Sequence, residues 1–109
     1  MPRALFVCTA NLQRSPTAED IFKNWKGIWE TKSAGIMPAA GRNGLTKALL
    51  DWADIVVVME EHHATYINEL YGTNYGKIRV LNIPDRYARN DPALVRDLTR
   101  KISQILETF

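Results

Sequence analysis

Residues 54 to 60, DIVVVME, set an isoleucine and three valines in a row with no polar alternation. β-branched residues that are apolar on both faces suit a strand buried from both sides, which is the central strand of a parallel sheet covered by helices. Parallel neighbours cannot be joined by a tight turn, so such a sheet requires helical crossovers between its strands. The rest of the chain supplies them.

Arg3 to Cys8 is a short apolar run ending in polar turn residues, which predicts a buried first strand. Pro16 to Gly27 places Ala18, Ile21, Phe22 and Trp25 on one helical face. Trp29 to Ala34 is read as the second strand, closed by Gly35, with a loop from Ile36 to Asn43. Leu45 to Ala53 has helical spacing and leads into the DIVVVME strand; Ala64 to Tyr71 is a helix and Lys77 to Ile83 the fourth strand. A PDRYARND loop then precedes a last helix with Asp91 as N-cap, Pro92 at its first position and a stripe of Leu94, Val95, Leu98, Ile102, Ile105 and Leu106. The expected fold is an α/β three-layer sandwich, a four-stranded parallel sheet with helices on both faces, in one domain spanning 1–109.

Composition narrows the function classes. Lys and Arg total 14 against 12 Asp and Glu, a net +2 dispersed along the chain, which is too weak for a nucleic-acid footprint. No apolar run reaches bilayer length, and the start of the chain lacks a signal-peptide pattern. The one cysteine cannot form an internal disulfide. A cytoplasmic protein without membrane or nucleic-acid partners, with Cys8 as a free thiol, is expected.

Ligands of parallel sheets collect outside the carboxyl ends of the strands, where helix N-termini point. Cys8 ends the first strand and Ser15-Pro16 opens the first helix. The backbone amides of Thr9, Ala10, Asn11, Leu12, Gln13 and Arg14 can wrap inward as an anion nest, aided by the helix start. The Arg14 guanidinium offers a planar fork for two oxygens of a phosphate. The same field favours the thiolate of Cys8, the nucleophilic form of the thiol. A nucleophile inside a phosphate cradle points to phosphoryl transfer onto sulfur, and Ser15 can hydrogen-bond that sulfur and assist its departure.

The Cys-x5-Arg-Ser pattern at a strand end resembles the signature of the low-molecular-weight protein tyrosine phosphatases. The stretch Cys8, Thr9, Ala10, Asn11, Leu12, Gln13, Arg14, Ser15, Pro16, Thr17, Ala18, Glu19 corresponds to that family's loop, and the likeness extends to Ser33–Gly35, to Trp52–Glu60 and to the loop beginning at Asp85. The resemblance implies Cys8 as nucleophile, Arg14 as phosphate clamp and Ser15 as the group that keeps the thiol ionised. It implies Asn11 and Ser33 as supports of the loop backbone, Asp85 as the acid that protonates the leaving group and then activates water, and Tyr87 as a wall of the pocket. The substrate it implies is a phosphorylated protein, chiefly at tyrosine, and no cofactor is implied. Activity is expected to peak on the acidic side of neutrality.

Several departures stand out. The chain is a short variant whose deficit lies mostly between the SAG segment and the helix before DIVVVM, which implies a shallower or more open pocket. Arg86 replaces the family's proline, Ala10 replaces a glycine, and a family histidine that supports the loop has no evident counterpart. Other readings of the site are a phosphate or phosphopeptide binding module without turnover, an arsenate reductase and a phosphocarrier. The arsenate reductase would need further cysteines, and the phosphocarrier would need neither Arg14 nor Asp85. His62 and His63 are expected to face solvent, and no metal is expected. Trp25, Trp29 and Trp52 are assigned to packing, and Tyr66, Tyr71 and Tyr75 to structural positions. A monomer or weak dimer is expected.

Overall fold

The computed structural model describes residues 2–72 and 77–108. Four parallel strands, β1 (Arg3–Cys8), β2 (Glu30–Gly35), β3 (Ile55–Val58) and β4 (Ile78–Val80), lie in the order β2-β1-β3-β4. The register sets Cys8 against Gly35 on one side and Val7 against Val58 on the other. The chain passes from β1 outward to β2 and then returns to β3 on the other side of β1. That reversal opens a crevice at the carboxyl end of β1, where the cysteine lies.

Strand alternation sorts the core into two layers. Ala4, Phe6, Cys8, Ile55, Val57 and Met59 face α1 (Arg14–Phe22) and α4 (Pro92–Glu107), which contribute Ala18, Phe22, Leu94, Leu98, Ile102 and Leu106. Leu5, Val7, Val56 and Val58 face α2 (Lys47–Trp52) and α3 (Glu61–Tyr71) through Leu50, Ala64 and Ile67. Burial of each large apolar side chain is worth roughly 2 kcal/mol. Because both faces of β1 and β3 are packed, the two strands that carry the site are the most constrained part of the fold. No helix among the described residues is long and apolar enough to cross a membrane.

The last helix has the predicted start: Asp91 accepts a hydrogen bond from the Ala93 amide at 2.8 Å, with Pro92 in the first turn. Other boundaries differ. The first helix begins at Arg14 and ends at Phe22, because Lys23 turns extended (ψ 121°) and Asn24 is left-handed (φ 56°); Trp25–Gly27 is a separate 3-10 turn. The second helix is cut to Lys47–Trp52 by its cap at Thr46, whose hydroxyl accepts from the Leu49 amide at 3.1 Å. The third starts three residues early, at Glu61, behind a capping box made by Glu60 and His63. The fourth strand is shortened to Ile78–Val80; Leu81 and Ile83 still donate to Val58 and Met59 carbonyls, but Asn82 between them is left-handed (φ 59°). Tyr75 lies outside the described residues.

Candidate functional site

Between β1, which ends at Cys8, and α1, which begins at Arg14, residues 9–13 form a tight loop at the carboxyl end of the sheet. Asn11 makes the bend in a left-handed conformation (φ 56°), which costs roughly 1 kcal/mol and must be held by its surroundings. The holding is complete. Its amide nitrogen donates to Ser15 Oγ at 3.0 Å and Ser33 Oγ at 2.9 Å, and its Oδ1 accepts from the Asn43 amide at 3.1 Å. Its carbonyl accepts from Arg42 Nε at 2.7 Å, and Ser33 passes its own hydrogen to Glu19 Oε1 at 2.5 Å. Ala10 is not among the positive-φ residues, so its methyl group causes no backbone strain there.

Segment 36–43 lies along the loop as an added strand-like edge, with Ile36, Met37 and Ala39 amides donating to the carbonyls of Cys8, Thr9 and Ala10. This close approach explains Gly35. A β-carbon at that position would stand 2.6 Å from the Thr9 carbonyl oxygen and 2.8 Å from the Asn11 nitrogen, both backbone atoms. Gly35→Ala is therefore expected to push the loop outward. Overpacking of this kind costs about 2 kcal/mol, so the melting temperature should fall by roughly 10 °C, as scanning calorimetry would measure. An unchanged melting temperature would show that the loop gives way freely.

Cys8 is 2% exposed, and its sulfur lies 3.0 Å from Ser15 Oγ. Ser15 Oγ accepts from Asn11, which leaves its hydrogen for the sulfur or for the Ala34 carbonyl at 3.4 Å. A thiolate is the stronger acceptor, so ionisation of Cys8 turns this hydroxyl toward sulfur. The α1 start adds its unpaired amides: the N-cap Gln13 makes no side-chain cap hydrogen bond, and Thr17 Oγ1 donates to the Gln13 carbonyl at 2.6 Å.

Arg14 is a buried guanidinium. Its Nη1 donates to Glu60 Oε1 and, at 2.8 Å, to the Ile83 carbonyl, while Nη2 stands 3.8 Å from Asp85 Oδ2. Nη1 is thus committed to the protein. Burial pushes the Glu60 carboxyl pKa up, but the hydrogen bond and charge of Arg14, with smaller effects from His62 and His63, hold it below the ordinary carboxylate value. Asp85 is 56% exposed and lines one small cavity of about 20 Å3 together with Cys8, Ala10, Leu12, Gln13 and Arg14. Its loop is pinned at both ends, by Ile83 as above and by the Asn90 amide donating to Thr17 Oγ1 at 3.1 Å. Tyr87 is not in the cavity lining; it packs against the core, with the Arg86 guanidinium 5.4 Å above its ring and Asp97 3.5 Å from its hydroxyl.

Three residues of this arrangement were missed in the sequence. Glu60 holds the arginine and Arg42 holds Asn11, each from a distant segment with no local signal. His63, expected to face solvent, is fully buried; its Nε2 lies 2.9 Å from Thr9 Oγ1, and its Nδ1 accepts from the Glu60 amide at 3.0 Å. His62 is exposed, as expected. Glu60, His62 and His63 bring candidate metal-ligating atoms within 4.8 Å of one another. Both His63 nitrogens and one Glu60 oxygen are already spent on protein partners, which leaves that cluster few lone pairs for an ion.

Neither a family model nor a curated protein sequence matches the chain. Solved structures do. The YwlE arginine phosphatase from Geobacillus stearothermophilus superposes with a TM-score of 0.78 at 26% identity, covering 99% of this chain and 94% of that one. The low-molecular-weight protein tyrosine phosphatase from T. tengcongensis gives 0.80 at 24% identity over 100% of both chains. Vibrio vulnificus Wzb, solved in complex with benzylphosphonate, gives 0.79 at 21% over 99% of both. The chain has the low-molecular-weight protein tyrosine phosphatase fold over its whole length, in keeping with the resemblance carried by Cys8–Glu19.

Proposed function

We propose that this chain is a phosphomonoester hydrolase of the protein tyrosine phosphatase type that works through a cysteinyl-phosphate on Cys8. One observation carries the reading: Cys8, Arg14 and Asp85 line the same small cavity at the start of α1. The loop amides and the Arg14 guanidinium, through the Nη2 edge that stands toward Asp85, take the oxygens of the phosphoryl group. The Cys8 thiolate attacks phosphorus in line, forming the S–P bond as the P–O bond to the leaving group breaks. Asp85 gives its proton to the departing oxygen. Its carboxylate then takes a proton from water, whose oxygen attacks phosphorus and breaks the S–P bond. Inorganic phosphate leaves, and Ser15 donates to the released thiolate.

On this reading the phosphoryl headgroup sits against the residues that line the cavity and the esterified group stays at its rim. There Leu12, 45% exposed, offers apolar surface suited to an aromatic ring. That favours phosphotyrosine in a protein over a phosphorylated arginine, the substrate that the name of the Geobacillus arginine phosphatase implies for that protein. A lone thiol that must stay reduced suits the cytoplasm, and the reading needs only a monomer.

The test is hydrolysis of para-nitrophenyl phosphate. Wild type should turn over fastest on the acidic side of neutrality, and Asp85→Asn should lower kcat by roughly 10²- to 10⁴-fold. Orthophosphate binding without wild-type turnover would select the binding module, and a rate climbing through about pH 8 would remove Asp85 from its role.

A further inference from the structure

His63 has no part in the chemistry above, yet it is a fully buried polar ring with both nitrogens engaged. An amide can only donate, so Nδ1, which meets the Glu60 amide, carries no hydrogen. The ring is therefore neutral with its hydrogen on Nε2, where it donates to Thr9 Oγ1. The capping box of α3 needs only Nδ1 and the Glu60 carboxylate. The bond from Nε2 to Thr9 is additional to it, and it crosses 54 residues of sequence to reach the position after Cys8.

We propose that His63 is a positioning residue for phosphate capture: through Thr9 it fastens the loop amides to the same helix start that fastens Arg14 through Glu60. The inference rests on the phosphate-site reading given above. An oxyanion bound here has two sets of donors, the loop amides and the guanidinium, and they must agree to about half an ångström. Thr9 is held on one side by the Met37 amide on its carbonyl, at 2.8 Å, and on the other by His63 on its hydroxyl. Arg14 is held by Glu60, three residues before His63 on the same turn. One helical turn thus sets the spacing between the two halves of the oxyanion site.

The groups facing the ring keep this link in place. Burial first, then the charges of His62 and Arg14, lower the His63 pKa to about 4, against an opposing effect of Glu60. A second ring hydrogen would point Nδ1–H at the Glu60 amide, donor against donor, so the neutral form is the one the site is built around.

Orthophosphate affinity, read by calorimetric titration and by competitive inhibition of para-nitrophenyl phosphate hydrolysis, tests the proposal. Thr9→Val keeps the shape and the capping box but removes the acceptor; His63→Leu removes both bonds. Each should weaken orthophosphate about tenfold, the scale of one lost hydrogen bond, and raise KM more than it lowers kcat. Thr9→Ser should restore binding to within about twofold, and the double variant should bind no worse than His63→Leu alone. Thr9→Val should melt within a few degrees of wild type, which separates positioning from stability. Should His63→Leu fail to fold, the Thr9→Val and Thr9→Ser pair decides by itself. Orthophosphate affinity within twofold of wild type in Thr9→Val, or full additivity in the double variant, overturns the proposal. A wild type that does not bind orthophosphate at all overturns the phosphate-site reading itself and with it this inference, a result separate from a Thr9→Val that binds as well as wild type.

Discussion

Cys8→Ser is expected to lose turnover by a factor on the order of 10⁴ or more, the scale seen when a covalent nucleophile is removed, while still binding orthophosphate. The substitution exchanges sulfur for oxygen at a site where Ser15 Oγ is 3.0 Å away and the Asn11 network is unaffected, so the cradle should survive. What is lost is the anion. Attack on phosphorus needs the sulfur as an anion, and Cys8 ends β1 at the cavity that Arg14, the first residue of α1, also lines. A serine hydroxyl ionises far too weakly to serve as that anion, and Asp85, the carboxyl of the cavity lining, acts at this step as the acid and not as a base. Stopped assays with an aryl phosphate would measure the rate, and calorimetry the retained affinity. The companion measurement is alkylation of wild type by iodoacetate, itself an anion, which should be fast and should slow when orthophosphate fills the loop. A Cys8→Ser variant with residual activity near wild type, or labelling indifferent to orthophosphate, would sink the covalent mechanism.

Much of the frame was legible because it is written in local pattern. The apolar runs at Arg3–Cys8 and Ile55–Val58 show strands buried on both faces, and Asp91-Pro92 marks the start of α4. The loop was legible too, since Cys8, Arg14 and Ser15 lie within one turn of chain. Boundaries failed where a single residue's backbone decided them. The break after Phe22 depends on Asn24 taking a left-handed conformation, and the early start of α3 depends on Glu60 and His63 forming a capping box without the usual serine or threonine. The partners of the site failed for another reason. Glu60 lies 46 residues from Arg14, and Arg42 lies 31 from Asn11, so nothing in the periodicity links them. Topology could have linked Glu60: it follows the end of β3, the neighbour of β1, at the edge of the sheet where ligands collect. A pair of histidines that looks like solvated surface conceals one buried member because helical neighbours point in different directions.

Arg14 is the position where activity and stability can be separated. Arg14→Lys is expected to lower kcat/KM by roughly 10³-fold, since the loss of a transition-state clamp costs on that scale. The ammonium keeps the charge, but it cannot meet Glu60, the Ile83 carbonyl and two phosphoryl oxygens at once, as the planar fork does. Arg14→Ala adds a folding cost, because Glu60 is left beside the Ile83 carbonyl without its cation. Breaking a fully buried pair costs several kcal/mol; Glu60 is about a third exposed, so about 2 kcal/mol is the better figure. Adding Glu60→Gln to Arg14→Ala should recover much of that stability, as the stranded charge is gone, and none of the activity. Denaturant melts and kcat/KM on the four proteins of this cycle give both quantities. An Arg14→Lys variant within tenfold of wild type would mean that charge alone suffices, and the guanidinium would then be a structural strut between β1, β3 and the Asp85 loop. The expected outcome is the reverse, because the structure spends one guanidinium nitrogen on Glu60 and Ile83 and leaves the other edge of the fork toward the cavity that Cys8 and Asp85 share.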